Sequence, residues 1–167
     1  KDNPLIYIGI GKETVDMYRG NFKIDDYVEE RVPLRNFTIE ERDSKYIINF
    51  EDKIKATFDV KSNLTIIDFN KTDDDINRFW IRIQADKTEK CYGCGEQMSY
   101  FNLRRRNFPL WTSEPGVGRD KTTYVTWRSD VENKAGGDYY HTNYPQPTFV
   151  SSRRYYLHVE STAYADF

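Results

Sequence analysis

Apolar and polar residues alternate with a period of two wherever this chain shows a pattern at all. Ile54, Ala56, Phe58 and Val60 alternate with Lys55, Thr57 and Asp59. Phe79, Ile81 and Ile83 alternate with Trp80, Arg82 and Gln84, and Leu157 and Val159 with Tyr156, His158 and Glu160. Successive side chains of a strand point to opposite faces, so the pattern predicts half-buried antiparallel strands. It sends Ile54, Phe58, Val60, Phe79, Ile81, Ile83, Leu157 and Val159 toward a common interior. Residues 5–10 are apolar on both faces, which predicts a central strand. Glu51-Asp52-Lys53 and Lys61-Ser62-Asn63 read as turns that bound the strand at 54–60, and Asn70 to Asp75 is a polar, acidic turn. Short strands at this spacing predict a sandwich or barrel. No segment carries a helical stripe of three turns.

Residues 86–147 break the pattern. They are punctuated by Gly and Pro and rich in Tyr, Trp and Arg. Loops of that length within a compact domain are usually functional or ordered by a partner. From Cys94 to Arg104, and again through Phe108, Trp111 and Glu114, polar groups crowd beside aromatic rings. That mixture suits a loop that presents hydrogen-bonding groups next to stacking surfaces, as sugar sites require.

Composition narrows the classes. At 167 residues the chain fits one domain, long enough to bury a core without metal or disulfide staples. The 25 basic and 27 acidic side chains leave a net charge of −2, so there is no electrostatic case for nucleic acid or an anionic membrane. Mean hydropathy is −0.83 and no apolar run approaches spanning length, which excludes a transmembrane helix. Aromatics reach 16%, and strand cores account for most of them.

The ordered blocks Asp16-Met17-Tyr18-Arg19-Gly20-Asn21-Phe22, Tyr92-Gly93-Cys94-Gly95-Glu96-Gln97, Thr123-Tyr124-Val125-Thr126-Trp127, Ala135-Gly136-Gly137-Asp138-Tyr139-Tyr140 and Tyr144-Pro145-Gln146-Pro147-Thr148-Phe149-Val150-Ser151 carry a family resemblance. The chain resembles the N-terminal domain of glycoside hydrolase family 31, in its sulfoquinovosidase branch of α-glycosidases. The resemblance implies an all-β fold, an antiparallel β-sandwich of galactose-mutarotase-like type, spanning 1–167 as a single domain that lacks short pieces at both ends. It implies a non-catalytic part of a retaining α-glycoside hydrolase. The aspartate nucleophile and the acid/base then lie on a (β/α)8 barrel that is not in this chain, on the same or a companion polypeptide. The implied substrate is an α-glycoside, no cofactor or metal is implied, and catalytic residues on this segment are none. Bacterial relatives imply a cytoplasmic setting. Two other readings stand beside this one: a free-standing lectin-like carbohydrate-binding module, and a scaffold domain of a non-catalytic relative.

Within that frame Glu96 and Gln97 are candidate substrate-binding residues. Gly95 allows a sharp turn from which the next carboxylate projects, and carboxylate and amide groups supply the hydrogen bonds that sugar hydroxyls take. Phe108, Trp111, Tyr139, Tyr144 and Phe149 are candidates for a barrel interface or pocket rim. A glycosidase pair needs two carboxyls about 5–5.5 Å apart for retention, and nothing in the spacing of Glu96, Glu114, Asp120 and Asp138 makes one.

Other motifs have plainer readings. Cys91 and Cys94 form a Cys-x-x-Cys without the helix N-terminus that a redox motif uses, and His141 and His158 are too distant in sequence to complete a zinc site. The pair reads as small buried residues in a turn, or as a local disulfide if the protein is secreted. Arg104, Arg105 and Arg106 suit an anion but read as a solvated loop. Asn36, Asn63 and Asn70 head glycosylation sequons that matter only in an extracellular setting.

Overall fold

The computed structural model describes residues 3–18, 21–96, 100–107, 110, 124 and 144–167. Among them the elements are ten β-strands: β1 (Ile6–Tyr18), β2 (Asn21–Leu34), β3 (Phe37–Arg42), β4 (Lys45–Phe50), β5 (Ile54–Val60), β6 (Thr65–Lys71), β7 (Arg78–Ile81), β8 (Cys91–Gly93), β9 (Thr148–Ser151) and β10 (Tyr156–His158). All the described pairings are antiparallel. The chain groups into two compact units, one of residues up to Thr14 with Asp25–Gln84, the other of Val15–Ile24 with Ala85–Phe167.

The first unit is a sandwich of two sheets over one core. One sheet has the order β2-β1-β7 and the other β3-β4-β5-β6. Ile6 and Ile8 of β1, Leu34 of β2, Phe50 of β4, Ile54 and Ala56 of β5, and Ile76 are buried together. β1 is the central strand of its sheet, as the two-sided apolar run at residues 5–10 predicts. Two hairpin turns follow from local chemistry. Asp43 and Ser44 (φ 51° and 62°) join β3 to β4, and Glu51 and Asp52 (φ 52° and 54°) lead from β4 to β5. Paired left-handed residues match the twist of the flanking strands. Glu51 Oε1 accepts the N–H groups of Arg35 (2.7 Å) and Asn36 (2.9 Å). Those bonds, the one from Asn36 first, hold its carboxyl below the usual glutamate range.

The common interior predicted from alternation needs correction at its margins. Ile54 is buried and Phe58 packs against the core. Val60, Phe79, Ile81 and Ile83 are 54%, 37%, 42% and 46% exposed. Phe79 and Ile81 lie opposite Ile8 and Ile6 in the ladder, hence on the same face. They sit on β7, however, a strand of four residues that among the described residues is at the edge of its sheet. The ring of Phe79 still meets Phe69 at 4.9 Å. Val60 is the last residue of β5, past the sandwiched rows. Leu157 and Val159 belong to the other unit. Alternation reports which face a side chain takes, not whether anything covers that face.

The second unit has a three-stranded sheet of order β10-β9-β8. Among its described residues Cys94 and Leu103 are buried, with Cys91, Tyr100, Leu110, Phe149 and Phe167 packed around them.

Candidate functional site

The site begins at the end of β8. Gly93, Cys94 and Gly95 are three successive left-handed residues, with φ of 119°, 62° and 99°. Two of them are glycines for a steric reason. A Cβ on Gly93 would stand 2.7 Å from the Thr148 carbonyl oxygen, and one on Gly95 would stand 2.4 Å from that of Tyr144. The Cys94 N–H donates to Thr148 O at 2.7 Å, which extends the β8–β9 pairing into the turn.

Cys94 anchors the turn from below. Its side chain is 1% exposed, and burial, with Cys91 beside it, pushes the thiol up to about 11. Cys91 is half-buried and its thiol is also pushed up, by desolvation first and then by the charge of Glu89. Both are free thiols. This is the opposite of a reactive Cys-x-x-Cys, whose thiolate is stabilised. Burial in a turn is borne out for Cys94, whereas Cys91 is half-buried and lies in β8. Among the described residues no three His, Cys, Asp or Glu side chains are grouped to hold a metal ion.

With Cys94 turned inward, Glu96 emerges exposed. An open cleft of about 360 Å³ is lined by Gly93, Cys94, Gly95, Glu96, Tyr144, Gln146, Thr148 and Val150. Tyr144 is 79% exposed and itself left-handed (φ 51°). The structure therefore brings two sequence-derived candidates, Glu96 and Tyr144, to one cleft although 48 positions separate them in the chain. Phe149 is half-buried, with its ring 6.1 Å from those of Tyr155 and Phe167, within its own unit's core. Gln97, Phe108, Trp111 and Tyr139 lie outside the described residues, as do Glu114, Asp120, Asp138 and His141.

The arginine triplet separates into three environments. Arg104 Nη2 donates to Asp86 O at 3.4 Å, Arg105 is exposed with φ 61°, and Arg106 lies 4.0 Å from the centroid of the Tyr100 ring. Asn36, Asn63 and Asn70 are all exposed, and Asn36 Nδ2 donates to Glu51 Oε1 at 3.3 Å.

Sequence reasoning missed the group that secures this sheet. Glu89 is 5% exposed. Its Oε1 accepts from Ser151 Oγ at 2.5 Å and from Tyr155 OH at 2.6 Å, and its Oε2 accepts the Asp86 N–H at 3.0 Å. The bond from Ser151, then that from Tyr155, holds the Glu89 carboxyl below the usual range, while the Tyr155 hydroxyl is raised by its bond to Glu89. Partners 62 to 66 positions away leave no local signal to read.

No known protein-family profile matches the chain. It is 52% identical to a sulfoquinovosidase of Agrobacterium fabrum strain C58, over 99% of this chain and 25% of the relative. It is 44% identical to a sulfoquinovosidase of Escherichia coli strain K12, over 100% of this chain and again 25% of the relative. A solved structure of a family 31 sulfoquinovosidase from E. rectale, in complex with an aza-sugar inhibitor, superposes with a TM-score of 0.95 at 69% identity, covering 100% of this chain and 25% of that one. The chain thus spans about a quarter of the length of the relatives it matches. In sequence and in fold the chain corresponds to the N-terminal quarter of these sulfoquinovosidases, the solved one of which is a member of glycoside hydrolase family 31.

Proposed function

We propose that this chain is the non-catalytic β-domain of a retaining α-glycoside hydrolase acting on α-sulfoquinovosides, that it packs on the catalytic barrel, and that it lends the turn ending at Glu96 to the rim of the substrate pocket. The observation that carries this reading is the Gly93-Cys94-Gly95 turn. A buried thiol and two close backbone approaches fix it, and it delivers one exposed carboxylate beside an exposed tyrosine. A rigid turn presents a polar group without the entropy cost of ordering a floppy loop. The barrel would supply both catalytic carboxylates. Glu96 would accept hydrogen bonds from a sugar hydroxyl, and Gln97 would assist or hold the loop. The whole-length match to one quarter of named sulfoquinovosidases supports the domain role and the substrate class.

The test is steady-state kinetics on the complete enzyme with Glu96→Ala. A lost hydrogen bond to a charged group is worth about 1.5–3 kcal/mol. kcat/KM is therefore expected to fall by roughly one to two decades, at about 1.4 kcal/mol per decade, with an unchanged melting temperature. Full activity removes Glu96 from the pocket. The isolated chain is expected to show no hydrolysis of an α-sulfoquinovoside. Tight sugar binding by the isolated chain would favour a free-standing carbohydrate-binding module instead.

A further inference from the structure

We infer that Glu89 is a positioning residue for substrate recognition, acting through the register of β8 on β9 to aim Glu96; this rests on the reading of Glu96 as a rim ligand.

β8 is only three residues long, paired Cys91 to Ser151, Tyr92 to Val150 and Gly93 to Phe149. A slip of one residue in such a ladder turns every side chain to the other face. Three residues of pairing fix register weakly, so something at the ladder's end must do so. Glu89 stands two positions before β8, and its carboxylate grips Ser151, the residue opposite the first residue of β8. Lys90 and Ser152 reinforce the grip, with Lys90 N donating to Ser152 Oγ at 3.0 Å and Ser152 N donating to Lys90 O at 2.9 Å. Ser151 Oγ in turn accepts the Arg153 N–H at 3.0 Å, so the hydroxyl proton is directed to Glu89. At the other end of the ladder, Cys94 N on Thr148 O continues the same register into the turn that presents Glu96. The buried carboxylate and the exposed one are thus the two ends of a single short β-ladder.

The site uses both oxygens of a carboxylate as acceptors, one for two hydroxyls and the other for a backbone N–H. A glutamine offers one acceptor oxygen and one NH2, so Glu89→Gln either sets its NH2 against the Asp86 N–H or turns it to the Ser151 and Tyr155 hydroxyls, which then lose their shared acceptor.

The test is a kinetic double-mutant cycle in the complete enzyme, with Glu89→Gln and, as a milder variant that removes a single hydroxyl, Tyr155→Phe, each made alone and with Glu96→Ala. Either variant is expected to lower kcat/KM, by ~10-fold for Glu89→Gln and ~3-fold for Tyr155→Phe, when Glu96 is present, and to leave it within ~2-fold when Glu96 is already alanine. A residue that only supports the fold would lower activity by the same factor in both backgrounds, and that result overturns the inference while leaving the role of Glu96 intact. Should Glu89→Gln fail to fold, the Tyr155→Phe cycle decides by the same criterion. Full activity of Glu96→Ala overturns both this inference and the rim reading on which it rests.

Discussion

The two units close their interiors by different means. In the first, six buried side chains from two sheets, Ile6, Ile8, Leu34, Phe50, Ile54 and Ala56, meet Ile76 of the connection between β6 and β7. Among the described residues of the second, the buried hydrophobic ones are Cys94 and Leu103, and beside them the structure buries Glu89 and Ser151. The first unit rests on apolar area removed from water, which is non-directional and tolerant of detail. Around β8 and β9 the described residues of the second are held by hydrogen bonds among buried groups, and these are intolerant of an unmatched donor or acceptor. A turn that presents a side chain benefits from the second kind of support, because directional bonds fix where a side chain points as well as whether the chain is folded.

The largest effect that would sharpen this contrast is in the first unit. Phe50→Ala removes a buried ring from the shared core and is expected to cost roughly 3–5 kcal/mol, read by urea or thermal unfolding. Phe79→Ala, on the same face but 37% exposed, is expected to cost about half as much or less. Equal losses would mean that β7 is covered as fully as β4.

Next is the turn. Gly95→Ala places a Cβ against the Tyr144 carbonyl at a φ that L-residues rarely adopt. The conformation alone costs about 1–2 kcal/mol, and the close approach adds to it. Activity of the complete enzyme and the melting temperature should fall together, unlike Glu96→Ala, which should spare the melt. A silent Gly95→Ala would show that the turn is not held as tightly as its geometry implies.

A smaller effect lies in pH. The Glu89 carboxyl is held below its ordinary value of 4.5 by Ser151 and Tyr155. A depressed folded pKa means that the unfolded chain takes up the proton first as pH falls. The stability that Glu89 contributes is therefore fully present above the ordinary glutamate range and is lost as pH drops below it through the folded value. Asp86, lowered chiefly by its bonds from Thr88, and Glu51 act in the same direction. Melts of the wild type and Glu89→Gln should accordingly converge as pH falls from neutral through the ordinary glutamate value and below it. A constant gap would show that Ser151 and Tyr155 do not favour the charged carboxylate in the folded chain, and a gap that widens toward low pH would show the carboxyl held neutral there.

The smallest effect is expected at Arg105. It is exposed, and Arg105→Ala should shift stability by no more than about 0.5 kcal/mol. A loss of activity there would revive an anion-binding role for the triplet.

The sequence by itself determined the alternating strands, because a period of two needs only local information; β8, inside the stretch 86–147 read as loop, it did not show. Alternation at 54–60 and the two-sided run at 5–10 placed one strand inside each sheet of the first unit. The run from Gly93 to Glu96 was legible as a turn, since glycine permits the left-handed backbone, and the family blocks told which enzymes the chain resembles. Tertiary structure alone decided the rest. It left Phe79 and Ile81 half open, because edge position depends on how many strands a sheet has and not on the strand's own residues. It sent Cys94 inward and Glu96 outward, because the backbone of residues 144–148 closes on that turn from about 50 positions away. It gave Glu89 its partners at Ser151 and Tyr155, because the match between a buried acceptor and its donors is made only when distant segments of the chain meet.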